Sequence, residues 1–203
     1  MCRLFTIYKK RLRCLLKLFL QKLTVDRVDL FKQLSTNKNI IGVPIISQPT
    51  QFVGQGAIIF GKEVQLGYYP SPYFYSGYMY LEARNSNAII QIGNQTMMNN
   101  NVVIIAESEM IEIGDNCLIG TNVEIINSDF HHINPNKRKS GLHKAKSIHI
   151  GNNVFIGSNT KILKGVTIGD NAVIGNSSVV FENVKENTIV KGNPAIEITK
   201  IDI

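Results

Sequence analysis

The chain has 203 residues, a formal net charge of +7 at pH 7 and three cysteines. That length suits one domain with a substantial core. Cys2, Cys14 and Cys117 form neither a disulfide framework nor a zinc-finger spacing, which points to reduced thiols in a cytoplasmic protein. No GxGxxG opens a helix and no GxxxxGK[ST] occurs, so a Rossmann or P-loop nucleotide site has no support.

The basic excess is confined to the start of the chain. Residues 1 to 22 carry seven Lys or Arg and no acid, and the remaining residues carry fifteen of each sign. With no acidic partner implied beyond that segment, nucleic acid is not an expected ligand. The stretch "KKRLRCLLKLFLQKL" predicts an amphipathic helix with Leu12, Leu15, Leu16, Phe19 and Leu23 on one face. Lys17 cuts its apolar run far short of the roughly 20 residues a membrane span needs, and no small-residue cleavage site follows. Residues 1–36 are therefore expected as a short helical segment. It either packs on the first turn of the domain or on a neighbouring subunit, or it lies, through residues 1–24, on anionic lipid at the inner membrane face.

From Phe60 the chain becomes periodic. Phe60 and Leu66 are six apart, as are Ile92, Met98 and Ile104, and Ile113, Ile119 and Ile125. The set Ile150, Ile156, Ile162, Ile168, Ile174 and Val180 continues without a miss. Four of these last six are followed by glycine, at 151, 157, 169 and 175, and a small or β-branched residue follows each aliphatic by four: Val154, Thr160, Val166, Ala172, Ser178 and Val184. A period of six fits neither a helix nor simple alternation and marks a hexapeptide β-helix repeat. Each six residues make one strand and its corner, about 20 Å at roughly 3.3 Å per residue. Three faces close a triangular coil, with the aliphatic inside and Gly or Asn supplying the turn.

Three slips interrupt the phase. "GYYPSPYFYSGYMYLEAR" (67–84) replaces it with aromatics, prolines and glycines. Nine residues separate Ile104 from Ile113, and twenty-five separate Ile125 from Ile150. Segments 67–84 and 127–147 are read as loop excursions on a β-helix domain spanning 37–198, with 199–203 as a tail. Loops on a rigid repeat are where function concentrates.

"IGNNVFIGSNTKILKGVTIGDNAVIG" followed by "GNPA" (192–195) resembles the hexapeptide-repeat acyltransferases of the left-handed parallel β-helix class, in the galactoside, maltoside and polysaccharide O-acetyltransferase branch. The resemblance covers about residues 55 to 198. It implies an all-β fold, a homotrimer with active sites between subunits, acetyl-CoA as donor with no metal, and a saccharide hydroxyl as acceptor.

Transfer of acetyl from a thioester to a hydroxyl needs a base and donors to the developing oxyanion. Imidazole suits the first role. His149, between Ile148 and Ile150, is turned outward by strand alternation. In "SDFHH" the resemblance matches His131 to the family's catalytic histidine and His132 to a variable position. A base needs its second ring nitrogen held by a carboxylate or backbone carbonyl; Asp129 is two residues away. The resemblance further assigns Asn99 and Glu107 to the acceptor side, and Asp129, His132 and His143, in and beside the basic loop, are further acceptor-side candidates. It assigns Phe155, Gly157, Ser158 and Asn176 to the acetyl-CoA side, Ser158 through its backbone N–H. Phe155 stands where relatives carry tryptophan, which keeps an aromatic wall without an indole donor. Phe181 and Glu182 stand where relatives carry a Thr-Lys pair for the nucleotide end of CoA. Compensating positive charge is available from Lys164, Lys191 and the loop cluster Lys137, Arg138, Lys139, Lys144 and Lys146. That cluster suits either the 3′-phosphate of CoA or an anionic acceptor. Rival readings are a zinc enzyme of the γ-carbonic-anhydrase type, an N-acetyltransferase of an amino sugar, and a non-catalytic scaffold. Zinc needs three converging histidines, and here the intervals from His131 are 1, 12 and 18.

Overall fold

The computed structural model describes residues 2–141 and 143–201, with the side chains of residues 2–11, 13, 17 and 21 left aside. The expected cationic face of the first helix, built from Lys9, Lys10, Arg11, Arg13 and Lys17, therefore lies outside the described side chains, as do Cys2 and the tail residues 202 and 203.

The helix α1 spans Cys2–Leu34, within the expected segment 1–36. No Gly or Pro occurs before residue 42, and Leu, Lys, Arg and Gln dominate, so nothing in the local chain interrupts it. It ends where hydroxyl and amide side chains take over the backbone: Ser35 Oγ donates to the Phe31 carbonyl and accepts from the Phe52 N–H. The final third of the helix is anchored. Thr24 is buried, Arg27 donates to the carbonyls of Tyr75 and Gly77, and the rings of Phe31 and Tyr78 lie 4.8 Å apart.

Beyond residue 39 the chain winds through three parallel faces, visited in order as first, second and third. The first face stacks Ile40–Ile41, Ala57–Phe60, Ile89–Ile92, Met110–Ile113, Ile148–Ile150 and Thr167–Ile168. The second stacks Ile45–Ile46, Gln65–Leu66, Met97–Met98, Leu118–Ile119, Phe155–Ile156, Val173–Ile174 and Thr188–Lys191. The third stacks Thr50–Gly54, Met79–Ala83, Val103–Ala106, Glu124–Ile126, Lys161–Leu163 and Val179–Val180. Register turns the sequence period into ladders. Ile92, Ile113, Ile150 and Ile168 align on the first face; Met98, Ile119, Ile156 and Ile174 on the second; and Ile104, Ile125, Ile162 and Val180 on the third. All are buried, as are the six small residues from Val154 to Val184. The result is a left-handed parallel β-helix of stacked triangular coils.

The corners differ from expectation. The glycines after the aliphatics do not supply the positive φ; Asn153, Asn159, Asn171 and Ser177, two residues further on, do. Gly157 is required by the next coil instead: a Cβ there would sit 2.3 Å from Asn176 Oδ1. The left-handed asparagines bond to one another, with Asn153 Nδ2 donating to Asn171 at 2.8 Å and Asn171 Nδ2 to Asn187 at 2.7 Å. The first excursion ends at residue 78, since Met79–Ala83 is strand, and it leaves at the second-to-third corner. Buried Asn100 holds it, donating to the carbonyls of Tyr68 and Pro72. The nine-residue interval is a longer corner at 107–109. Residues 199 and 200 of the expected tail end the strand Ile196–Lys200, antiparallel to Thr188–Lys191. Cys117 is buried inside the prism, where desolvation raises its thiol pKa, and Cys14 is exposed.

Because neighbouring coils share one interior, truncating a central ladder residue opens a cavity that two coils line. Ile156→Ala is expected to lower unfolding free energy by roughly 2–5 kcal/mol, measured by denaturant titration.

Candidate active site

The candidate residues fall into two groups on different corners of the prism. Asn99, Gly157, Ser158 and Asn176 line the second-to-third corner, and the register that aligns Met98, Ile119, Ile156 and Ile174 stacks them there. Phe155 faces outward on the second face at 47% exposure, next to Leu118 at 51%. Lys191 closes the last strand of that face and is exposed. Tyr68, Met97, Asn99, Leu118, Gly120 and Phe155 line an apolar hollow of about 230 Å³. Tyr68 was not a candidate from sequence. The signal available was that an aromatic excursion leaves at the corner where the matched asparagine lies.

Ser158 is not a free oxyanion donor. Its N–H donates to Asn176 Oδ1 at 3.0 Å, and its Oγ lies 3.1 Å from Thr121 Oγ1. The Gly-Asn corner of one coil satisfies the backbone of the coil before it. Asn99 Oδ1 similarly accepts from Asn100 N at 2.8 Å.

The second group lies at the third-to-first corner, where the chain departs after Glu124–Ile126 and returns at Ile148–Ile150. Asp129, His131, His132, His143, Lys144 and Lys164 line a cavity of about 470 Å³. His131 is exposed, and its Nδ1 lies 3.4 Å from the Arg138 carbonyl oxygen. Asp129 does not orient it: the Asp129 carboxylate pairs with Lys164, which also donates to the Lys144 carbonyl at 3.1 Å. The ring therefore has a backbone carbonyl for a neighbour, and Lys164 is engaged at this corner, not free for a phosphate. His132 is half-buried, with Nδ1 accepting from Asn134 N at 2.9 Å.

The Glu107 carboxylate is engaged within the chain: the residue is 5% exposed, Oε2 accepts from Ser128 Oγ at 2.5 Å, and Oε1 pairs with His143 Nε2. His143 is half-buried and its Nδ1 is buried without a hydrogen-bond partner. His149 points outward as expected and pairs with Glu112 at 3.0 Å. Lys137, Arg138, Lys139, Lys144 and Lys146 are all exposed, and of these Lys144 reaches the histidine cavity. Among the described residues, no three His, Cys, Asp or Glu side chains converge to hold a metal ion.

What the corners offer can be stated chemically. One corner presents imidazoles in a cationic cavity. The other presents a narrow apolar trough floored by glycines, suited to an extended thioester arm. Within one chain the two are separated by the width of the third face.

Comparisons agree with this architecture. Residues 147–182 match the family model described as bacterial transferase hexapeptide (six repeats), and residues 110–126 match the hexapeptide repeat of succinyl-transferase. The galactoside O-acetyltransferase of Escherichia coli is 40% identical over 113 residues, 56% of this chain and 55% of that protein. The chain spans about half the length of the curated relatives it matches. A hexapeptide-repeat acetyltransferase of Vibrio cholerae, solved with acetyl coenzyme A, superposes with a TM-score of 0.55 at 26% identity over 88% of this chain and 78% of that one. A galactoside acetyltransferase solved with coenzyme A gives 0.56 at 29% identity over 86% and 69%. With its aliphatic ladders, its glycine-asparagine corners and these matches, the chain carries transferase hexapeptide repeats over residues 110–126 and 147–182 and is similar to the hexapeptide-repeat acetyltransferases.

Proposed function

We propose that the protein is an acetyl-CoA-dependent O-acetyltransferase acting on a saccharide of a surface glycan, with His131 as general base. The observation that carries this reading is His131 itself: an exposed imidazole, its Nδ1 beside a backbone carbonyl, at the mouth of the 470 Å³ cavity. With Nδ1 carrying the proton toward that carbonyl, Nε2 is the free base. It removes the proton from an acceptor hydroxyl as the oxygen attacks the acetyl carbon. When the tetrahedral intermediate collapses, the C–S bond breaks and the imidazolium returns the proton to the CoA sulfur, leaving the ester and free CoA thiol. The names of the Escherichia coli relative and of the CoA-bound galactoside acetyltransferase support donor and acceptor class.

The trough beside Phe155 is the donor channel in this reading. Leu118 and Phe155 supply an apolar wall, and the glycine corner allows close backbone approach. Since the trough and the histidine cavity occupy different corners of one prism, the complete site forms between two copies. A cyclic trimer brings the second-to-third corner of one against the third-to-first corner of the next. The cationic cavity rim then meets CoA phosphate or an acidic sugar. The exposed leucines of α1 belong to the same proposal. Leu12, Leu15, Leu16, Phe19 and Leu23 are 42–64% exposed, and seven cations accompany them in the first 22 residues. That combination suits a helix lying on anionic lipid. No helix among the described residues is long and apolar enough to cross a membrane.

Three measurements check this reading. His131→Ala should lower thiol release from acetyl-CoA with a glycan acceptor by roughly 10²- to 10⁴-fold, and retained turnover would remove His131 as base. Mixed trimers of inactive His131→Ala and Asn99→Ala chains should recover about a quarter of wild-type turnover if the two residues meet across an interface, whereas sites within one chain would recover none. Co-sedimentation with phosphatidylglycerol vesicles should exceed that with phosphatidylcholine and should vanish on deletion of residues 1–24.

A further inference from the structure

Glu107 and His143 are buried or half-buried, titratable and unused by the mechanism above. Their hydrogen bonds form a continuous path from the returning limb of the 127–147 excursion to the residue before His131. His143 Nε2 donates to Glu107 Oε1 on the returning side. Ser128 Oγ donates to Glu107 Oε2 on the outgoing side and itself accepts from the Phe130 N–H at 3.0 Å. Phe130 has φ +57, a left-handed conformation that a bulky L side chain adopts only when its surroundings enforce it. The enforcement is visible on both sides of the residue: Ser128 holds its amide, and the Arg84 guanidinium sits 4.5 Å from its ring centroid, tethered by Glu82 at 2.8 Å. The next residue is His131, whose N–H donates to the Asp129 carbonyl at 2.7 Å.

The floor of this arrangement is rigid. The Glu107 N–H donates to the side chain of fully buried Asn127 at 2.8 Å, and Asn127 Nδ2 donates to the Glu109 carbonyl at 2.9 Å. The longer corner at 107–109 is what brings the carboxylate beneath the excursion. The buried, unpartnered Nδ1 of His143 agrees with a ring whose single N–H is spent on the carboxylate.

We propose that Glu107 is a positioning residue: its carboxylate latches the two limbs of the excursion together through Ser128 and His143, and so fixes the turn that aims His131. The proposal deepens the acetyltransferase reading and rests on it for the kinetic consequence only. The latch itself is a property of the fold.

The test compares the full-length wild type with two variants, Glu107→Gln, which is near-isosteric but uncharged, and Ser128→Ala, which leaves the acid in place and removes both bonds of the serine hydroxyl, to Glu107 and from the Phe130 N–H. Both should still fold and unfold in one cooperative transition, because the aliphatic ladders are untouched. Amide exchange at Phe130 and His131 should become about ten-fold faster or more, and the ¹⁵N shifts of the His131 ring should move. Turnover should fall roughly 10- to 100-fold while KM for acetyl-CoA stays within about two-fold. Unchanged exchange and ring shifts in both variants overturn the latch, and so does full turnover in a variant whose exchange has risen. If the wild type transfers acetyl to no acceptor, the acetyltransferase reading fails, and the exchange rates and ring shifts still decide whether the latch exists.

Discussion

Every feature of this molecule depends on coils that cannot stand alone. A single turn has strands of two to five residues and an interior exposed above and below, so its isoleucines are buried only when the next turn lies directly on top in parallel register. Ile92 on Ile113 on Ile150 on Ile168 is one such stack, repeated on each face. Burial at roughly 25 cal/mol per Å² is the driving force, and the backbone bonds between coils leave little freedom to shear. The result is a stiff prism on which a corner residue has a fixed azimuth and height.

That stiffness gives meaning to the separation of the two groups. Asn99, Ser158 and Asn176 cannot drift toward His131, since each is locked to the coil above or below by backbone and amide bonds. A flexible scaffold would allow closure within one chain. This one leaves the apolar trough and the imidazole cavity facing different directions, and in the proposed reading a neighbouring copy joins them.

The sequence was most readable where a residue's role is set by periodicity. The spacing of six predicted every ladder from Ile92 to Val180, and the departures from it located both excursions. It was least readable where polar side chains chose among partners. Asp129 is near His131 in sequence, but Lys164, thirty-five positions later, reaches it first because the coil above returns to the same corner. Glu107 looked like a substrate contact, and the extra corner residues carry it under the loop instead, to Ser128 and His143. Ser158 spends its amide on Asn176, one coil on. Each of these pairings crosses between coils or across an excursion, so it depends on which corner each coil presents. The glycines misled for a related reason: their small size serves the neighbouring coil, and the asparagines carry the turn.

The departure and return points of the 127–147 segment are themselves neighbours. The Lys146 N–H donates to the Asn127 carbonyl at 3.0 Å, and Ser128 bridges Ala145 in antiparallel fashion. The backbone of the insertion therefore leaves and rejoins the prism as a closed stem. Such a stem works as a cassette: apart from Ser128, Asp129, Phe130, His143 and Lys144, which touch the coils, its contents can lengthen, shorten or change charge without disturbing a rung.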